Sequence, residues 1–202
     1  DRLVSDLDGE ALVLDLAQDA AVDEAFAKLA QRHATLAGIV FAVAAPFPHK
    51  LTHRTGWTVF EEQMNSQMKA LHLSMTAARP LLAAHEGGAR AIVLSTEYVL
   101  GPPPIKIAPY VAAKAAMTSY AQIIAQEWLK AGIRVHILAP GMVKSALTAD
   151  MPDAYLDQVA EGMPEKRLTA AEDVADLAAF MMTSAADSLY GVVTPVSRAG
   201  RR

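Results

Sequence analysis

Two apolar segments with a helix-length segment between them constrain the fold of this chain more than any other feature. The first, Ala91-Ile92-Val93-Leu94, and the second, Gly132 to Gly141, are both short enough to be buried strands. The segment between them begins near Tyr110 and ends at Gly132, a typical helix stop. Because a strand, a helix and a second strand in this order form a parallel α/β unit, the sequence predicts an α/β fold in which helices flank a mostly parallel sheet.

Tyr110 and Lys114 are four residues apart on this predicted helix, so their side chains lie on one face of it. A tyrosine ionises near pH ~10, and a neighbouring cation lowers its pKa by favouring the phenolate. The pair indicates a proton-transfer site if it is desolvated and helped by a further cation, although ordinary surface helices also show this spacing. Two adjacent hydroxyls, Ser95 and Thr96, end the preceding strand, and strand alternation lets only one of them face the tyrosine.

The order of these segments resembles the short-chain dehydrogenase/reductase family, from about residue 11 to about residue 196. The resemblance implies one three-layer Rossmann-like domain over residues 1–202 that interconverts a carbonyl and a secondary alcohol with NAD or NADP. By this resemblance Tyr110 would exchange the proton, while Lys114 would lower its pKa and bind the nicotinamide ribose. Thr96 or Ser95 would position the substrate oxygen, and Thr96 is closer to the family's spacing from the tyrosine.

A fourth catalytic residue is expected on the helix from about Gly56 to Leu82, where the family has an asparagine that kinks the helix and holds a proton-relay water. Two amides compete for this position. Asn65 has the family's side chain, but the distance back from Arg79-Pro80 favours Gln67. Either amide is also compatible with an exposed helix position.

Three further segments resemble the parts of the family that hold the dinucleotide. Residues 11–16 resemble the third strand, with Asp15 and Leu16 against the adenine. Residues 36–44 resemble the fourth strand, where Phe41, Ala42, Val43 and Ala44 stand in place of the family's Asn-Asn-Ala-Gly. The segment expected beneath the nicotinamide would contribute Pro140, Gly141, Val143 and Ser145.

Two elements are predicted near the carboxyl end. Thr169 is predicted to cap a helix, with Glu172 three residues further on as the second half of a capping box. The last strand is expected at residues 191–196.

The glycine-rich turn that holds the cofactor pyrophosphate in this family has no match in the sequence. Neither Gly-x-x-x-Gly-x-Gly nor Gly-x-Gly-x-x-Gly occurs in the 202 residues. We therefore expect the family's first two strands to be missing, and favour an N-terminally incomplete reductase over a relative that has lost the phosphate cradle. The alternative function is a catalytically inactive interaction domain of the same fold that binds no dinucleotide.

Composition argues against several other classes of protein, including nucleic-acid-binding and membrane proteins. A net charge of -4 argues against nucleic-acid binding, and the absence of cysteine excludes disulfides and fits a cytoplasmic protein. Among the six histidines, His49 and His53 have a metal-ligand spacing, but they lie beside Pro46 and Pro48 and have no carboxylate partner on a helix, which argues against a metal site. No apolar stretch reaches membrane-spanning length. A small-molecule carbonyl or alcohol is thus the expected partner. Alanines at 112, 113, 115 and 116 allow close helix approach, which favours a homodimer or homotetramer.

Overall fold

The computed structural model describes residues 9–149 and 151–197. Its sheet has four parallel strands in the order β1-β2-β3-β4, which are Gly38–Phe41, Ala89–Leu94, Ile133–Pro140 and Val193–Val196. The α-helices of the described ranges are α1 (Asp19–Arg32), α2 (Trp57–Gln63), α3 (Ala70–Ala83), α4 (Ala108–Glu127), α5 (Asp153–Gly162) and α6 (Ala171–Met181). A π-helical segment, Met64–Lys69, joins α2 to α3.

Helices cover both faces of the sheet. On one face, alternate residues of β2 and β3 such as Val93 and Ile137 pack into a core with α3 and α4. On the other face, Ile92 and Leu138 pack against α6. Because both faces are covered, β3 is buried along nearly its whole length and mostly apolar, with Arg134 and His136 as its polar residues. This three-layer, Rossmann-like arrangement confirms the predicted fold class.

The central strand–helix–strand unit lies where the sequence predicts it. Helix α4 has a proline, Pro109, in its first turn, where the ring removes no needed hydrogen bond. Gly132 adopts the left-handed conformation, with φ of 76°, and thereby ends the short 3₁₀ turn that follows α4. Strand β3 then begins at Ile133.

The prediction of a strand at residues 11–16 is wrong. These residues have no regular structure, and Val13 is 96% exposed. A strand needs a neighbour for its backbone hydrogen bonds, and within the described ranges β1 pairs only with β2. Leu16 alone of this segment packs against the core.

The predicted helix cap at Thr169 is also wrong. Helix α6 begins at Ala171, and the carboxylate of Asp173 accepts a 2.8 Å hydrogen bond from the backbone N–H of Ala170. The Thr169 hydroxyl instead donates to the carbonyl of Val196 at 3.1 Å. Thr169 therefore hydrogen-bonds to strand β4 rather than capping α6, and Asp173 rather than Glu172 provides the capping carboxylate.

The described residues contain no helix long and apolar enough to cross a bilayer. They also contain no cluster of three or more side chains suited to hold a metal ion.

Candidate active site

A cavity of about 720 Å³ opens at the carboxyl ends of β1, β2 and β3. This edge of a parallel sheet is where ligands of doubly wound α/β proteins bind. The walls come from the segments that follow the three strands, from the start of α4 and from residues 142–155. Those that the sequence singles out are Ala42, Ser95, Thr96, Tyr110, Lys114, Pro140, Gly141, Val143 and Ser145.

Tyr110 and Lys114 lie side by side in this cavity, one turn apart on α4. Their side chains are largely buried, at 9% and 3% exposure. The Lys114 ammonium is 5.9 Å from the centroid of the Tyr110 ring and donates to the carbonyl of Leu94 at 2.7 Å. A longer contact of 3.5 Å joins it to the carbonyl of Val43. The helix thus brings both predicted side chains to one place.

The protonation of this pair differs from the sequence expectation. Burial raises the pKa of Tyr110 above its ordinary value, and a side-chain hydrogen bond with Thr96 only partly opposes this. Burial also lowers the pKa of Lys114 to about 8. Desolvation dominates for Tyr110, so its pKa lies above the ordinary value although the Lys114 ammonium is 5.9 Å from the ring centroid.

The two candidate hydroxyls have different partners. Thr118 donates its only hydroxyl proton to the carbonyl of Lys114 at 2.8 Å, so the 2.5 Å contact between Ser95 and Thr118 uses the proton of Ser95. Ser95 therefore has no proton left for a ligand. Thr96 lies in the cavity wall with Tyr110 and acts to lower the pKa of the phenol, and its oxygen accepts a long hydrogen bond from the N–H of Tyr98.

The two candidate amides are also separated by their surroundings. Asn65 is exposed, whereas Gln67 is completely buried in the π-helical segment. The amide nitrogen of Gln67 donates a 2.6 Å hydrogen bond to the side-chain oxygen of Gln63, which is equally buried. π-Helical turns are often found at functional sites. Asn65 is therefore on the solvent side of this segment and Gln67 is in the protein interior, and neither side chain lines the cavity.

The predicted cofactor residues divide into two groups. Pro140, Gly141, Val143 and Ser145 line the cavity together with Ala42. Asp15 and Leu16 do not line it. The Asp15 carboxylate instead accepts a 2.9 Å hydrogen bond from the N–H of Ala17 in the turn before α1, and Leu16 packs on the core.

The residues in the cavity fit the nicotinamide half of a dinucleotide. Gly141 makes room for the buried Glu97 carboxylate, which would lie 3.1 Å from a Cβ at this position. The buried ammonium of Lys114 and the hydroxyls of Thr96 and Tyr110 provide polar partners for a ribose and an amide. The volume of about 720 Å³ admits these groups together with a small substrate.

Sequence reasoning missed three residues of this site. Glu97 is buried at 4% exposure directly after Thr96. The ring of Phe47 stacks on Tyr110, with the ring centroids 4.8 Å apart and the planes 17° from parallel. Gln63 holds the segment before Phe47. The pair of glutamines four residues apart was the only signal for Gln63, since Phe47 belongs to an irregular segment.

Comparisons with known proteins identify the class to which this fold and site belong. The family model described as enoyl-(acyl carrier protein) reductase matches residues 1–198. Acetoacetyl-CoA reductase of Allochromatium vinosum is 31% identical over 90 residues, which cover 45% of this chain and 37% of that protein. The 3-oxoacyl-[acyl-carrier-protein] reductase FabG of Staphylococcus epidermidis is 27% identical over 132 residues, covering 65% of this chain and 53% of that protein.

A solved structure agrees with the fold. A gluconate 5-dehydrogenase from Burkholderia cenocepacia J2315, in complex with NADP and tartrate, has a TM-score of 0.86 at 21% identity and covers 98% of this chain and 78% of its own. The chain spans about a third to a half of the length of these curated relatives, and the fold and the family model together define its class. This chain belongs to the short-chain dehydrogenase/reductase family. That membership supports the predicted use of NAD or NADP.

Proposed function

We propose that this site interconverts a carbonyl and a secondary alcohol with NAD or NADP as the cofactor. The observation that carries the proposal is the buried pair of Tyr110 and Lys114 in the cavity, whose wall also includes the hydroxyl of Thr96. General acid catalysis needs a proton donor within hydrogen-bond reach of the reacting oxygen, and Tyr110 is the side chain so placed.

The chain's own residues handle the proton and orient the substrate. In the reductive direction the Tyr110 hydroxyl donates its proton to the carbonyl oxygen, and the Thr96 hydroxyl hydrogen-bonds the same oxygen as charge develops on it. The raised pKa of Tyr110 keeps it protonated, which suits this direction. A dinucleotide, when bound, would supply the hydride for the carbonyl carbon. In the reverse direction Tyr110 would have to be in its phenolate form to accept the proton of the alcohol.

The cofactor's nicotinamide half is proposed to lie against the segment that follows β3. The backbone of Val143 and the hydroxyl of Ser145 would bind the carboxamide and the neighbouring phosphate. Lys114 would hydrogen-bond the ribose, since its ammonium has three donors and only two carbonyl partners among the described residues.

The substrate is proposed to be uncharged near its reacting carbonyl. The described lining of the cavity has no Asp, Glu or Arg, and its ionisable side chains are His49, Lys114 and tyrosines. A carboxylate substrate would have no guanidinium to receive it. The names of two relatives refer to an acetoacetyl and a 3-oxoacyl group, and the ketone of such a group is of this uncharged kind.

One experiment tests both parts of the proposal. NADH and NADPH are titrated into the chain by calorimetry, and turnover is followed by nicotinamide absorbance with ethyl acetoacetate or with acetoacetate. We expect saturable binding of one dinucleotide and a higher kcat/KM for ethyl acetoacetate than for acetoacetate. Equal or faster turnover of the carboxylate would overturn the substrate proposal.

The same titration tests the alternative function that the sequence raises. It is an interaction domain of the same fold that binds no dinucleotide. Saturable dinucleotide binding in the calorimetric titration would reject it, and no heat of binding from either dinucleotide would support it against the reductase.

A further inference from the structure

The aromatic ring of Phe47 covers one face of Tyr110. The two rings are stacked at a centroid distance of 4.8 Å, and His49 contacts the Phe47 ring at 5.1 Å. Stacked aromatic pairs are favourable by about 0.5–1.5 kcal/mol beyond their buried area. Phe47 therefore limits the orientations open to the Tyr110 ring and keeps water from that face.

The backbone around Phe47 does not hold this ring in place by itself. Residues 42–51 follow β1 without helix or strand, so no ladder of backbone hydrogen bonds fixes them. The only backbone–backbone bond found within residues 42–51 is from the N–H of Lys50 to the carbonyl of Pro48. A tether from elsewhere in the molecule is required for the stack to persist.

Gln63 supplies such a tether. Its amide nitrogen donates to the carbonyl of Ala45 at 3.3 Å and to that of Pro46 at 3.2 Å, the two residues directly before Phe47. Gln63 is completely buried. A buried amide without hydrogen-bond partners destabilises the folded chain. The two hydrogen bonds of Gln63 therefore hold the segment before Phe47 against α2.

The carbonyls of Ala45 and Pro46 only accept hydrogen bonds, so they determine which way the Gln63 amide faces. The amide nitrogen of Gln67 donates to the oxygen of Gln63 at 2.6 Å and so matches this orientation, while Oε1 of Gln67 is buried without a hydrogen-bond partner among the described residues. The opposite orientation would place the Gln63 oxygen against two carbonyl oxygens and its nitrogen against a donor. The polarity of the chain Gln67–Gln63–Pro46 is thereby fixed.

We propose that Phe47 is a positioning residue for the Tyr110 phenol, and that the buried Gln67–Gln63 amide pair sets the place of Phe47. The kinetic consequences of this arrangement rest on the proposed function, whereas the effect of Phe47 on the ionisation of Tyr110 does not. Burial is the main cause that raises the pKa of Tyr110, and Phe47 provides part of that burial. The stack thus keeps the phenol protonated and aimed into the cavity.

The test measures the ionisation of Tyr110 directly. The protein is labelled with ¹³C at Cζ of its five tyrosines, Tyr110 is assigned from the Tyr110→Phe spectrum, and its NMR titration is recorded against pH. Phe47→Leu removes the ring but keeps an apolar side chain, and Phe47→Tyr keeps a ring. Phe60→Leu is the matched control, since Phe60 stacks on Trp57 at 5.6 Å and neither ring lines the cavity.

Phe47→Leu is expected to move the Tyr110 titration to lower pH, while Phe47→Tyr and Phe60→Leu leave it in place. In an active preparation, Phe47→Leu should also lower kcat about tenfold and move the pH profile of kcat in the same direction. An unchanged Tyr110 titration in Phe47→Leu would overturn the proposal, whether or not the chain turns over. If Phe47→Leu shifts the Tyr110 titration but neither the wild type nor any variant shows turnover, the result would instead count against the proposed function.

The amide pair is tested by coupling. Gln63→Met or, if that variant does not fold, Gln67→Met removes the tether while keeping an unbranched side chain. If the pair acts through Phe47, either glutamine variant moves the Tyr110 titration as Phe47→Leu does. Combining the glutamine substitution with Phe47→Leu then gives no further shift. Additive shifts, or no shift in the glutamine variant, would overturn this part of the proposal.

Discussion

The Lys114 ammonium donates a 2.7 Å hydrogen bond to the carbonyl oxygen of Leu94, the last residue of β2. This bond connects the first turns of α4 to the end of the strand that carries Thr96. Because Tyr110 lies one turn before Lys114, the connection places the phenol beside the Thr96 hydroxyl. The strand–helix contact therefore assembles the candidate proton-transfer site, and the protein keeps a buried cation to maintain it.

The buried Lys114 should make stability depend on pH. Its pKa is about 8 in the folded chain against an ordinary value of 10.5, so between these values the unfolded chain binds more protons. The free energy of unfolding should therefore rise with pH through this window and be lowest, for this group, below it. The change is on the order of 3 kcal/mol at about 1.36 kcal/mol per pH unit.

Urea unfolding of the wild type and of Lys114→Met checks this expectation. The difference in unfolding free energy between the two should shift in favour of the wild type as the pH rises through the window. A difference that stays constant with pH would show that Lys114 titrates normally in the folded chain.

The two hydroxyls at the end of β2 should have separate roles. Thr96→Val removes the hydroxyl from the cavity wall near Tyr110 while keeping the side chain's shape, and we expect kcat to fall about 10²-fold, as for a lost transition-state donor. Thr96→Ser should recover most of that loss. Ser95→Ala breaks the contact with Thr118 and should lower the unfolding free energy by about 1–3 kcal/mol. A greater kinetic loss in Ser95→Ala than in Thr96→Val would reverse the assignment.

Gly38 should be required for packing at the start of β1. A Cβ at this position would lie 2.7 Å from the carbonyl oxygen of Arg90 and would collide with the Met182 side chain. Because one of these neighbours is sheet backbone, Gly38→Ala should cost about 1–3 kcal/mol of unfolding free energy. Gly56→Ala, which has open space around its Cβ, is the matched control and should change stability little. Equal denaturation midpoints for the two variants would contradict this account.

The small-residue surface of α4 should form an interface between copies of the chain. Ala113 is buried in the core, whereas Ala112 and Ala115 are exposed, and Ile123 further along the helix is 54% exposed. We therefore expect a dimer or tetramer, because small side chains let helices approach closely and closed symmetric assemblies are common. Light scattering at micromolar concentration measures the mass, and a monomer would count against this expectation.

The sequence predicts those elements whose apolar pattern is complete within the segment. Strand β3 and helix α4 belong to this group, as do the two residues, Tyr110 and Lys114, whose spacing is that of one helical turn. Residues 11–16 have the composition of a strand, but a strand forms only where a neighbour supplies hydrogen bonds. That partner is a property of the whole sheet, which local composition does not report.

Choices between adjacent side chains depended on contacts between distant segments. The roles of Ser95 and Thr96 differ because Thr118 donates its hydroxyl proton to the carbonyl of Lys114 and must therefore accept from Ser95. Asn65 and Gln67 differ because only one side of the π-helical segment faces the core. Phe47 could not be found from sequence, since an irregular segment gives no periodicity to read. Its role depends on where the buried amide of Gln63 holds that segment.

The most direct test of the central claim is the Tyr110→Phe variant, measured for both turnover and dinucleotide binding. Removing only the hydroxyl should lower kcat by at least ~10²-fold, the usual effect of a lost general acid, while the dissociation constant of NADH or NADPH stays nearly unchanged. Far-ultraviolet circular dichroism confirms that the variant is folded. Turnover retained at the wild-type rate in a folded Tyr110→Phe protein would contradict the account, because the proton would then come from elsewhere.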